Sequence, residues 1–220
     1  LFAIILPSLA ADAGTTLYPQ PDARATAAEL RAASSLFYND PELQAEVEQA
    51  ALDEYGVATV EELPIDYGAY TLQVSEEISE PEFDRFYESL DARYSAQESV
   101  ARWFSLLTPA IAANSLSRGI AGTDRIHQRD FAIAAETHRR KMIKLLNEDF
   151  MFNAGDEGYS YTANAKLWAK FEALDYDFPT LGKLAGAYLL DGLILIAWLF
   201  AAMLVAFQLV KKAVRREVAS

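Results

Sequence analysis

The stretch Leu184–Val210, LAGAYLLDGLILIAWLFAAMLVAFQLV, limits what this chain can fold into more than any other. From Gly192 to Phe207 it carries no charged side chain. A hydrocarbon core about 30 Å thick is crossed by roughly 20 largely apolar helical residues at about 1.5 Å each, so this run spans it with some tilt. A buried core helix is the competing reading, but apolar runs of that kind are usually about 10–14 residues long. Lys211, Lys212, Arg215 and Arg216 follow at once, the cationic flank that the positive-inside rule places in the cytoplasm. The expected order is therefore a transmembrane helix over 181–210 and a cytoplasmic basic tail over 211–220. Asp191 interrupts the run. A carboxylate at that depth costs a few kcal/mol unless it meets a partner or water, or sits at the interface. Its place near the Leu184 end favours the interface.

The rest of the chain is what such a span would hold on the opposite face. The 220 residues carry a net charge of -13, and an apolar share of 52% suffices for a folded domain plus membrane segments. So acidic a balance excludes nucleic acid as a partner, because phosphates demand clustered Lys and Arg. Without cysteine there is neither a disulfide framework nor a thiolate metal site. GxxxxGK[ST], GxSxG, HExxH and a Cys-His pairing are all missing, so neither ATP hydrolysis by a phosphate loop nor hydrolase chemistry is expected. Catalytic, metal and cofactor sites are accordingly expected to be none.

At the amino end, LFAIILPSLAADAGTTLYPQP allows two readings. As a signal peptide it is an apolar region followed by the small-residue pattern Ala11, Asp12, Ala13. As the end of a transmembrane helix over 1–18 it leaves the bilayer near Tyr18, with Pro19 and Pro21 closing it. Retention of the apolar run favours the span, truncated at its start.

Between the two apolar ends, 19–180 reads as one extracytoplasmic helical domain, and the fold class as all-α. Asp22 caps a helix running to Tyr38; Asp40, Pro41 and Glu42 open another that reaches Tyr55 and stops at Gly56. Thr59 with Glu62 is a capping box for a short turn. Ile65 to Ser79 alternates briefly and reads as an extended loop, with a long helix beginning at Pro81. Thr108-Pro109 interrupts that helix. Gly119 and Gly122 in LTPAIAANSLSRGIAGTD permit close approach of another backbone or of lipid. Thr123 or Asp124 caps a helix to about Asn147, and a short one runs from Asn164 to Leu174. Of the late aromatics, Phe171, Tyr176 and Phe178 suit an interfacial belt.

Charge is segregated along this domain. Asp40 to Val100 holds 17 acids against Arg85 and Arg93, while Arg102 to Lys144 holds eight basic residues against Asp124, Asp130 and Glu136. Mutual pairing of these helices is the ordinary explanation. His127 and His138, 11 residues apart, are separated by roughly 16 Å along one helix face, too far for a shared metal ion. Asp124, His127 and Asp130 at i, i+3 and i+6 form a weak ligand pattern, and a hydrogen-bonded His127 fits better.

The order LPSLAADAGTTLYPQPDAR, LTPAIAANSLSRGIAGTD, HQRDF and HRRKMIKLLN, followed by a tyrosine-rich linker and a terminal span, resembles the C-terminal half of bacterial type-2 ABC exporter permeases with a large extracytoplasmic helical insert. The resemblance implies a multi-pass permease subunit of the inner membrane, paired with a separate ABC ATPase subunit and a second permease subunit within the lipid bilayer. Arg139, Arg140, Asp124 and His127 become candidates for docking within the domain, and Asp191 for coupling at the membrane. A membrane-anchored helical scaffold or sensor without transport, working through the acidic surface, is the alternative.

Overall fold

The computed structural model describes residues 2–218. Among these there is no strand, and the chain is all-α. It divides into two compact units, one of Leu1–Gln20, Ala92–Phe131 and Asp177–Ser220, the other of Pro21–Asp91 and Ala132–Tyr176.

Helices α2 (Ala23–Ser34), α3 (Leu36–Asn39) and α4 (Pro41–Tyr55) open the second unit. Their ends follow from local chemistry. Asp22 Oδ1 accepts from the backbone N–H groups of Arg24 and Ala25, and Asp40 Oδ1 from those of Glu42 and Leu43, satisfying donors that have no intrahelical partner. Gly56 ends α4 at φ 67°, a left-handed conformation that glycine adopts without a Cβ penalty. The helix expected from Asp22 to Tyr38 is broken at Ser35, whose hydroxyl donates to the Arg31 carbonyl (2.8 Å) and competes there with the backbone N–H. The expected Thr59–Glu62 capping box is not made, since Glu62 reaches past Thr59 to the residue before it. Thr59 contributes no side-chain bond, while the Glu62 carboxylate accepts from Ala58 N–H at 2.9 Å.

The extended loop expected over Ile65–Ser79 is instead helix, because α5 runs unbroken over Tyr67–Phe104. Asp66 caps it, accepting from Ala69 N–H at 2.8 Å, and Tyr67 and Tyr70 stack one turn apart. Pro81 lies inside α5 rather than at its start. A mid-helix proline forfeits a backbone bond at a cost of about 3 kcal/mol, and burial of Ser75, Ser79 and Phe86 on either side of it keeps the helix continuous. α5 ends as expected before Thr108-Pro109, and α6 (Pro109–Ala121) follows, with Thr108 as N-cap and Pro109 in its first turn. α7 covers Arg125–Asn153, longer than the expected end near Asn147. The short helix α8 is only Ala165–Trp168, not Asn164–Leu174; the chain leaves it at Lys170 and runs without regular structure to Leu181.

In the second unit α5 and α7 carry opposite charges and bond to one another, around a core of Phe37, Ala51, Ala69, Phe86, Met151, Ala154 and Leu167. The glycine turn after α7 folds back on it: Tyr161 donates to Asp149 at 2.6 Å, and Phe150 packs against both Tyr159 and Tyr161.

The first unit is built from α1 (Phe2–Leu17), the end of α5, α6, the start of α7 and α9 (Leu181–Val218). α9 is long and apolar enough to cross a membrane over Gly182–Arg216, and only 6% of its most apolar window is buried within the chain, where a core helix is mostly buried. The basic residues 211–216 continue the same helix. α1 is a shorter apolar helix. It approaches α5 at Gly14, where a Cβ would meet Gln97 O at 3.2 Å, and its terminal carbonyls are satisfied by α5: Gln97 Nε2 donates to Tyr18 O and Arg93 Nη1 to Pro19 O.

Candidate functional site

The first unit reverses the usual distribution of polarity. Its buried side chains include Ser105, Thr108, Asp124, His127 and Asp191, while α9 turns Leu193, Leu199, Phe200 and Leu204 outward. Small residues make this possible. α6 lies along α9, and Ala112, Ser115 and Gly119 bring the two backbones together. At Gly119 the approach is closest: a Cβ there would fall inside 3.0 Å of three Tyr188 ring atoms.

Asp191 is 1% exposed. Ser115 Oγ donates to its Oδ2 at 2.9 Å, and Arg102 Nε stands 3.9 Å from its Oδ1, a long ion pair with a guanidinium that reaches toward solvent. The carboxylate on the apolar helix is thus held by α6 and by the last turn of α5. Its sequence position near the Leu184 end suggested the interface; within the protein it faces inward against these partners. Burying such a group is costly unless it is paired and hydrogen-bonded, which makes Ser115 and Arg102 part of the site.

Just under one turn toward the start of α9, Tyr188 donates to Asp124 Oδ2. Asp124 Oδ1 accepts from both the backbone N–H (2.9 Å) and the ring Nδ1–H (2.6 Å) of His127. Burial opposes ionisation of Asp124, but these hydrogen bonds from Tyr188 and His127 outweigh it and hold the carboxyl below its ordinary value. Asp124 therefore closes the N-terminus of α7 and ties it to α9. Lys183 pairs with Asp130 one turn further out. The Asp124, His127 and Asp130 pattern does not converge on a point, since Asp124 bonds His127 and Tyr188 while Asp130 bonds Lys183. Between α5, α6 and α9 a cleft of about 220 Å³ is walled by Glu98, Arg102, Arg118, Arg125 and Asp191. Arg125 pairs across it with Glu98 at 2.9 Å.

Arg139 and Arg140 lie in the other unit and join two helices there. Arg140 bonds Asp84 (2.6 Å) and Glu136 (2.9 Å) and pairs with Glu80 (3.6 Å); Arg139 bonds Glu136 and reaches Glu76 at 3.3 Å. Hydrogen bonds from Arg140 and Arg139 hold Asp84 and Glu136, respectively, below the usual carboxylate range, and the guanidinium charges are reinforced in return. Asn147 Nδ2 donates to Gln73 Oε1 and extends the same α5–α7 seam. Arg139 and Arg140 thus act on the fold of their own unit, apart from Asp191.

The family described as a domain of unknown function, DUF3526, matches residues 25–177. The chain belongs to this family. No curated protein and no solved structure matches it. The DUF3526 match starts beyond α1 and stops before α9, so Ser115, Arg102, Asp124 and His127 lie inside it, and Asp191 and Tyr188 outside. The site therefore joins the family region to the apolar helix that follows. Ser115, Arg102 and Tyr188 were not singled out from the sequence. Ser115 and Gly119 stand four apart in the stretch whose small residues signalled a close approach; nothing local marks Tyr188 or Arg102.

Proposed function

We propose that this chain is the C-terminal part of a permease subunit of an ATP-driven exporter. In this reading α9 and the helix ending in α1 are two of several spans of a bacterial inner membrane, with the DUF3526 region on the extracytoplasmic side and the basic end of α9 in the cytoplasm. A separate ABC ATPase subunit supplies the energy, and a second permease subunit completes the membrane pathway. Phe171, Tyr176 and Phe178 then form the interfacial belt.

The observation that carries the reading is the buried Asp191. A carboxylate on an otherwise apolar span is expensive and is found where it does something, and here its bonds to Ser115 and Arg102 connect that span to the helices preceding it. A displacement of α9 along its axis would be transmitted through those bonds, which is what an ATPase acting from the cytoplasmic end requires. The acidic α5 and basic α7 seam, through Arg139 and Arg140, ties the two helices together within the second unit.

The test is purification of the tagged chain from its native membranes in mild detergent. A vanadate-sensitive ATPase should copurify with it, and Asp191→Leu should uncouple nucleotide hydrolysis from transport while leaving the ATPase bound. Tyr159→Cys should react with impermeant reagents only from outside, and Ala213→Cys only from inside. A chain that purifies without any ATPase is a membrane-anchored scaffold and ends the transport reading; labelling of Tyr159→Cys from the cytosol alone ends the topology.

A further inference from the structure

The register of α6 against α9 gives a depth to residues that are not in the span. Lys183 pairs with Asp130, Tyr188 with Asp124, Asp191 with Ser115, and Trp198 Nε1 donates to the Ser105 carbonyl at 3.2 Å. As numbers rise along α9 they fall along α6, so the two helices are antiparallel. The turn joining α5 to α6, Ser105–Thr108, lies level with Trp198. Trp198 is seven residues beyond Asp191, about 10 Å further along the helix. Counted back from Lys211, a core of about 30 Å begins near Asp191. The turn therefore sits about 10 Å below that boundary if α9 spans.

The chemistry of the turn agrees with that depth. Its polar side chains are hidden, Ser105 at 0% and Thr108 at 3% exposure, while Trp103 (73%), Leu106 (54%) and Leu107 (60%) face out. Its backbone N–H groups are satisfied within the protein: Ser105 donates to Arg102 O, Leu106 to Trp103 O, and Leu107 and Thr108 to Phe104 O, while Ser105 O accepts from Trp198. Irregular backbone survives at membrane depth only when it is satisfied in this way. Toward the far end of α6 the exposed residues are mixed, Asn114, Ser117 and Arg118 beside Ala113 and Ile120, which suits the interface level of Asp191 and Tyr188.

We propose that the end of α5 and the start of α6 form a hairpin that dips into the bilayer beside α9 and returns to the same face, with Trp103, Leu106 and Leu107 against lipid acyl chains. This rests on α9 being a span, but on neither transport nor an ATPase. The consequence is that Asp191 is screened from lipid by the hairpin and not by a neighbouring subunit.

The absence of cysteine makes the test direct. Leu106→Cys, Leu107→Cys, Met203→Cys and Tyr87→Cys are placed singly in the full chain and reconstituted into phosphatidylcholine nanodiscs, whose two faces are both open to a charged maleimide. Labelling at 106 and 107 should be more than about tenfold slower than at exposed Tyr87→Cys, matching Met203→Cys inside α9, because the thiol lies where water is absent. A bimane dye attached in detergent at position 106 should then lose most of its fluorescence to lipids carrying a mid-chain doxyl group. Labelling at 106 and 107 as fast as at 87, with Met203→Cys still protected, overturns the hairpin and leaves the span. Fast labelling at 203 as well removes both. Protection without doxyl quenching means that protein, not lipid, covers the turn, and also overturns the proposal.

Discussion

Gly119→Ala isolates the contact on which the first unit depends. In an exposed helix, replacing glycine by alanine stabilises by roughly 0.5–1 kcal/mol, because the unfolded backbone loses freedom. Here the added Cβ would fall inside 3.0 Å of three Tyr188 ring atoms, and that ring is held in place by its bond to Asp124. Overpacking of this kind costs about 1–3 kcal/mol, so the net effect should be a loss of about 0.5–2 kcal/mol. Removing the ring should reverse the sign: in a Tyr188→Ala background Gly119→Ala should stabilise by roughly 0.5–1 kcal/mol. The pair then shows a coupling of about 1–3 kcal/mol, measurable as a double-mutant cycle. Reversible SDS unfolding of the four proteins from mixed micelles, followed by far-UV circular dichroism, reads each step. Additive effects, with Gly119→Ala having the same sign in both backgrounds, would refute close packing of α6 on Tyr188.

Other outcomes follow from the remaining contacts. Arg140→Met should cost more stability than Arg139→Met, by about 1 kcal/mol, since surface ion pairs are individually weak and Arg140 is the less exposed of the two and holds three carboxylates; thermal melts in detergent compare them. Asp84 and Glu136 are held below the ordinary carboxyl values of 3.8 and 4.5, so their contribution is present above those values and is lost as pH falls through the depressed ones. The deficit of Arg140→Met should accordingly shrink on acidification below about pH 4, in melts run across that range. Asp40→Ala removes the cap of α4 and should cost about 1 kcal/mol in the same melts. Gly56→Ala, at φ 67° with open space around it, meets only backbone strain and should cost about 1–2 kcal/mol, with no rescue by trimming neighbours.

The boundaries that could be read from the chain are those made by side chains bonding within three or four residues. Asp22, Asp40, Gly56 and the Thr108-Pro109 pair each mark a helix end that the structure places there. The start of α5 was hidden for the opposite reason. Pro81 is a strong local signal for a first turn, yet burial on both sides of it carries the helix through, while the cap, Asp66, stands before a stretch whose aromatics also fit alternation. The expected extent of α8, to Leu174, exceeds the observed one because Trp168 is exposed and stacks on Phe171 instead of continuing the helix.

By itself the sequence determined the helical class, the segregation of acidic and basic helices, and the long apolar helix with its basic flank, because composition and periodicity act locally or over a single element. Tertiary structure alone decided which way Asp191 points and what it meets. Its partners lie 76 and 89 positions earlier, and only the close approach of α6 at Ser115 and Gly119 brings them to it. Depth along a helix can be counted from a sequence, but the face a residue presents depends on the neighbour packed against that face.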